Sequence, residues 1–144
     1  MESMSTQRTL VAGLAGGLVL NLIDTPWSVL VMVPRLQDFN AAHQLVASPL
    51  AGPAFLVAHF ALMLGVAWVY TMARRTGRPG AATALRVGVV FLLVNRAFGV
   101  GNVMLGWLPW NGFLGFSVSF VVGVLLGSLV VARVVERRSS TPQP

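Results

Sequence analysis

Long apolar runs broken by short polar punctuation dominate this chain. Four of them, Leu10–Val33, Pro53–Met72, Ala84–Trp107 and Gly112–Val134, each hold 20 residues or more. At a rise of about 1.5 Å per residue, each is long enough to cross a ~30 Å hydrocarbon layer as a helix. None alternates polar and apolar positions over about ten residues, as barrel strands do. The pattern therefore predicts an all-α membrane protein: four transmembrane helices in an antiparallel up-down bundle. The residues left over suffice only for tails and short loops, so residues 1–144 form one domain. Between the first two runs, Leu36, Phe39, Ala42 and Val46 recur at helical spacing and predict a short helix lying on the interface. Thr76-Gly77-Arg78-Pro79-Gly80 and Trp107-Leu108-Pro109-Trp110-Asn111-Gly112 carry turn chemistry. The tryptophans of the second turn suit the headgroup level, and Trp68 and Tyr70 approach the opposite interface.

Composition agrees. Hydrophobic residues make up 56% and charged residues 10%, against about 25% charged in an ordinary soluble domain. Too few charges remain to clothe a soluble surface. All ten basic residues are arginine, and the net charge is +6. These arginines sit at the ends of apolar runs rather than in a patch with exposed aromatics, which argues against nucleic acid as a partner. Placed with the N-terminus inside, Arg8, Arg74, Arg75, Arg78, Arg86, Arg133, Arg137 and Arg138 face the cytoplasm and only Arg35 falls outside. The positive-inside rule then expects both termini in the cytoplasm. Arginine without lysine, beside abundant Ala, Gly and Val, reads as a GC-rich bacterial genome, and hence the bacterial cytoplasmic (inner) membrane. The first run lacks a small-x-small cleavage site and is interrupted by Asn21 and Asp24, so it reads as a retained helix rather than a signal peptide. Cysteine is absent, which excludes disulfides, thiolate metal sites and cysteine nucleophiles.

An internal duplication is one reading of the halves. Leu18-Val19-Leu20-Asn21 parallels Leu92-Leu93-Val94-Asn95, and Phe55, Leu56, Gly65 and Arg75 recur as Phe113, Leu114, Gly123 and Arg133 at an offset of 58. Two tandem helical hairpins would produce this pattern. Chance matches in low-complexity apolar sequence are the alternative.

Polar residues inside the runs carry the candidate chemistry. Asp24 falls roughly 13 Å, His59 about 9 Å, Arg96 about 16 Å and Asn102 about 7 Å from the outer boundary, with Asn21 and Asn95 near mid-membrane. A lone charge at such depth costs at least ~2.5 kcal/mol. Asp24 and Arg96 are the charges well inside the runs and have opposite signs, so the expectation is a buried Asp24–Arg96 pair with Asn21 and Asn95 satisfying leftover groups. Such a pair serves either as glue between helices or as a functional site. Pro26 removes a backbone donor just after Asp24, predicting a kink or unwound turn over Asp24-Thr25-Pro26-Trp27. His59 is the single histidine in any run, which leaves bis-histidine haem ligation unsupported, and no metal or other cofactor is expected. Gly13 and Gly17, and Gly115, Ser119, Gly123 and Gly127 at i+4, form small-residue stripes. They suit helix packing within the chain or a homo-oligomer interface.

No P-loop, GxSxG, HExxH or strand-borne dinucleotide fingerprint occurs, and Gly99-Val100-Gly101 sits within an apolar run. The leading expectation is a small transport or ligand-binding protein with a polar site open toward the outer half, built from Asp24, Arg96, His59, Asn21, Asn95 and Asn102. Asp24 would be the proton- or cation-responsive group and Arg96 its counter-charge or an anion anchor. The rivals are a subunit that oligomerises through the glycine stripe and a membrane-embedded enzyme on a lipid, with His59 and Asp24 as acid and base.

The chain also resembles a set of small bacterial four-helix membrane proteins with no assigned activity. The likeness rests on Ala12-Gly13 through Gly17 to Asn21 and Asp24, and on Trp68-Val69-Tyr70 leading into Arg74, Gly77-Arg78-Pro79-Gly80 and Thr83-Ala84. It implies fold and location only, and Arg96 has no place in it.

Overall fold

The computed structural model describes residues 6–45, 48–77 and 79–137. Arg78, Arg138 and Val46, which entered the sequence argument, lie outside the described residues. The described chain is helical, without strands, and has four helices long and apolar enough to cross a membrane. The first crossing is composite: α1 (Thr6–Trp27) runs into a π-helical turn at Ser28–Met32 and then α2 (Val33–Arg35). A short α3 (Gln37–Ala42) follows. The remaining crossings are α4 (Ala51–Thr76), α5 (Ala81–Met104) and α6 (Trp110–Glu136).

Helix boundaries move by a few residues from the sequence reading, for local reasons. The third helix stops at Met104, short of Trp107, because Gly106 takes a φ of +74° and turns the chain. Pro26 does not unwind its helix as expected. The ladder instead lengthens beyond it, so that the Val33 N–H reaches the Ser28 carbonyl, five residues back. The π turn that follows keeps the chain helical, which an unwound segment in an apolar layer would not.

Helix α1 packs on both α6 and α4, while α5 lies against α6 and, more sparsely, α4. Helices α1 and α4, and α5 and α6, pair as hairpins, and the α1–α6 contact, the most extensive in the molecule, joins the two halves of the chain. Small residues permit this closeness. A methyl group added at Gly127 would lie 2.9 Å from the Gly16 carbonyl oxygen, and one at Gly123 would strike Leu20. Gly115 faces Met32 of the π turn, while Gly13 and Gly17 face Leu64 and Phe60 of α4. The stripe on α6 is thus covered by α1 of the same chain. With lipid as solvent, such contacts act through dispersion at close backbone approach.

The end of the bundle that gathers the termini is tied by polar contacts. The Tyr70 hydroxyl donates to Glu136 and accepts the Gly80 N–H at 3.1 Å, binding the α4–α5 turn to the end of α6. Tyr70 is fully buried. It therefore faces into the bundle, whereas Trp68 is exposed as an interfacial residue would be.

Replacing Gly127 by Val should lower unfolding stability by about 1–3 kcal/mol or more, because neither Gly16 nor its own helix can retreat. Gly101, with open space around it, should tolerate the same change to within about 0.5 kcal/mol. Thermal unfolding in one detergent compares the two.

Candidate functional site

His59 and Arg96 each lie eight residues, roughly 12 Å, from the far end of their helices, and Asp24 lies eleven residues, roughly 16 Å, from the far end of its composite crossing at Arg35. The helices then decide which of them meet. Asn21 is anchored first: its amide nitrogen donates to the Gly17 carbonyl at 3.0 Å and to the Leu56 carbonyl at 3.5 Å. Two carbonyl acceptors fix the amide orientation, so its oxygen points at His59 Nδ1, 2.9 Å away. That oxygen accepts from Thr25 Oγ1 as well, at 3.4 Å. His59 Nδ1 must therefore carry a proton and donate it to Asn21.

The other ring nitrogen, Nε2, lies 3.3 Å from Asp24 Oδ2. Two lone pairs facing each other at that spacing would repel. One proton consequently resides on the pair, either on Nε2 beside a carboxylate or on the Asp24 carboxyl beside a neutral ring. Both forms have zero net charge, which is how a buried acid and base persist in a low dielectric. The second Asp24 oxygen accepts from the Ser119 hydroxyl of α6. Asp24 and His59 are 2% and 3% exposed, and the His59 ring is held by Phe55, at a centroid distance of 4.2 Å, and Phe120, at 5.8 Å.

The expected Asp24–Arg96 ion pair is not formed. Helix α1 packs against α4 and α6, so the histidine of α4 reaches the carboxylate. Arg96 comes from α5 on the far side of Phe120, whose ring centroid lies 4.4 Å from the guanidinium carbon. Its Nη1 donates to Ser117 Oγ at 2.9 Å and its Nη2 to Asn95 Oδ1 at 2.6 Å. Phe113 lies 5.6 Å away on the same cation. Nε is enclosed and has no acceptor. Arg96 is therefore held by hydroxyl, amide and aromatic faces, with no carboxylate directly against it.

Asp24 and Arg96 nonetheless line one cavity of about 310 Å³. His59, Asn95 and Asn102 complete its polar wall. Its apolar wall includes Phe55, Phe98, Phe113, Phe116 and Phe120. Asn21 is set back from this wall and acts through His59. Sequence reasoning treated Ser119 only as a packing residue and overlooked Ser117 and the phenylalanines. The signal for Ser119 was a hydroxyl within the glycine stripe, at the level of Asp24; Phe residues in an apolar run carry no such signal. Among the described residues, no three His, Cys, Asp or Glu side chains gather as a metal cluster.

No family model, curated protein or solved structure matches the chain. The reading of the site accordingly rests on its geometry.

A double-mutant cycle separates the two candidate partners of Asp24. Coupling between Asp24→Asn and His59→Gln should fall within the ~0.5–3 kcal/mol typical of contacting residues. It should exceed the coupling between Asp24→Asn and Arg96→Gln, measured by reversible unfolding in detergent. A larger value for the arginine cycle would reverse the assignment.

Proposed function

We propose that this protein is a small ligand-binding or transport protein of the bacterial inner membrane, with a site for a small anion inside the bundle. One observation carries this reading. Asp24 is already engaged by His59 at 3.3 Å and by the Ser119 hydroxyl, while Arg96 stands on the wall of the same cavity with no carboxylate directly against it. Arg96 is the anion anchor. Asp24, paired with His59, is the acidic group beside it. Asn95 and Ser117 position the guanidinium, and Asn102 stands at the exposed rim.

The geometry favours binding over hydrolytic chemistry. His59 uses one ring nitrogen toward Asn21 and the other toward Asp24, so neither is turned to a cavity nucleophile. Ser119 donates to Asp24 rather than to His59. A subunit joined through the glycine stripe is less well supported, since α1 of the same chain covers those glycines. Arginine placement supports a sidedness. Arg8, Arg74, Arg75, Arg86, Arg133 and Arg137 belong to the end with the termini, and Arg35 to the other, which supports cytoplasmic termini and a site in the outer half.

Thermal unfolding in lipid nanodiscs tests the site, with acetate, benzoate, inorganic phosphate and tetramethylammonium as probes. A ligand at about one hundred times its Kd adds about 2.7 kcal/mol of stability. At least one anion should raise the midpoint of the unaltered protein and lose that effect in Arg96→Gln, while tetramethylammonium should do nothing. Absence of any anion effect, or an equal effect of the cation, overturns the reading. The cysteine-free chain also allows a direct check of sidedness. In intact cells a membrane-impermeant maleimide should modify Gln44→Cys and spare Thr76→Cys.

A further inference from the structure

The apolar wall and the position of the mouth narrow the ligand class. Phe98 of α5 is 74% exposed, Phe55 of α4 is 38% exposed, and Ala58 of α4 is exposed, yet all three line the cavity. All three belong to helices long and apolar enough to cross a membrane, so in a bilayer a mouth between the sparsely packed α4 and α5 would open toward acyl chains. At about 310 Å³ the cavity has the size of a small-molecule site.

We infer that the site takes a single-chain carboxylic acid, entering sideways from the bilayer and binding with its carboxylate on Arg96 and its apolar tail along Phe55 and Phe98. This rests on the anion-site reading above and specifies its ligand. Three features select it. A carboxylate offers two coplanar acceptors to a guanidinium whose Nη1 and Nη2 give Ser117 and Asn95 one N–H each and which has no carboxylate directly against it. A monoanion matches the one guanidinium on the cavity wall. A lone apolar chain suits a phenylalanine-lined wall that continues onto the lipid-facing surface, where acetate or inorganic phosphate would leave those rings without a partner. A phospholipid fits less well. Its phosphate is held at headgroup level, whereas Arg96 lies about 12 Å along the bundle from the end of its helix.

The test is photo-crosslinking in nanodiscs with a medium-chain carboxylic acid bearing a diazirine near its tail, followed by peptide mapping. The acid should label the segments around Phe55 and Phe98, and octanoate should compete while octanol, acetate and phosphate should not. Labelling should fall about tenfold to a hundredfold in Arg96→Gln, the loss expected for one charge-assisted contact. Ala58→Trp fills the mouth at an exposed position and leaves Arg96 in place. It should abolish labelling while keeping the unfolding midpoint, which guards against a folding defect in the arginine variant. Equal labelling by the methyl ester, or labelling untouched by Ala58→Trp, overturns the inference. If the acid fails to label but acetate or phosphate still stabilises the protein through Arg96, the ligand class is wrong and the anion site stands. If no anion stabilises it, the site itself is wrong.

Discussion

A carboxylate enclosed in an apolar bundle must be compensated, and the way Asp24 is compensated organises the centre of this protein. Isolated, it would carry a desolvation penalty of several kcal/mol. It is met by a ring nitrogen from α4 on one oxygen and a hydroxyl from α6 on the other. Those two contacts draw together the three helices that make the densest packing. The same level of α6 is lined by small residues, so its backbone comes close enough for a short serine side chain to reach. Packing and polar satisfaction thus depend on each other here. Without Gly123 and Gly127 the α1–α6 approach fails, and without that approach Ser119 could not meet Asp24.

The orientation of His59 follows from a chain of fixed hydrogen bonds rather than from the ring itself. Backbone carbonyls of Gly17 and Leu56 settle the Asn21 amide, the amide settles the Nδ1 proton, and that leaves Nε2 facing an acid. A residue one turn before Asp24 on α1 therefore sets the protonation of a pair to which it contributes no charge. The π turn after Pro26 belongs to the same arrangement. It continues the helix beyond a proline two residues after the carboxylate and presents Met32 to Gly115.

Helix α5 stands apart in both packing and chemistry. It is the least buried crossing helix, and it contributes a guanidinium with no carboxylate directly against it and the most exposed aromatic residue of the cavity wall. A guanidinium on a loosely held helix, supported by Phe120, Ser117 and Asn95, keeps its charge available to whatever fills the space beside it. An arginine in direct contact with Asp24 would have closed that space and cancelled the charge. The separation of the two is thus what makes the cavity a candidate site rather than a structural cross-link.

Much of this was legible from the order of residues alone. Run length and low charge content determine an all-helical, four-crossing protein, because an apolar layer admits few other backbones. Counting along those runs puts Asp24, His59 and Arg96 in the same half of the layer, roughly 13, 9 and 16 Å from its outer boundary. Partner choice did not follow, because depth says nothing of azimuth. Which face of each helix turns inward is decided by small residues meeting across α1 and α6, and those contacts join positions some hundred residues apart. That packing gave Asp24 to His59 and Ser119, set Phe120 beneath Arg96, and turned Tyr70 from the interface into the bundle. Sequence determined how far along the bundle each charge must sit; the close approach of three helices decided what each charge would touch.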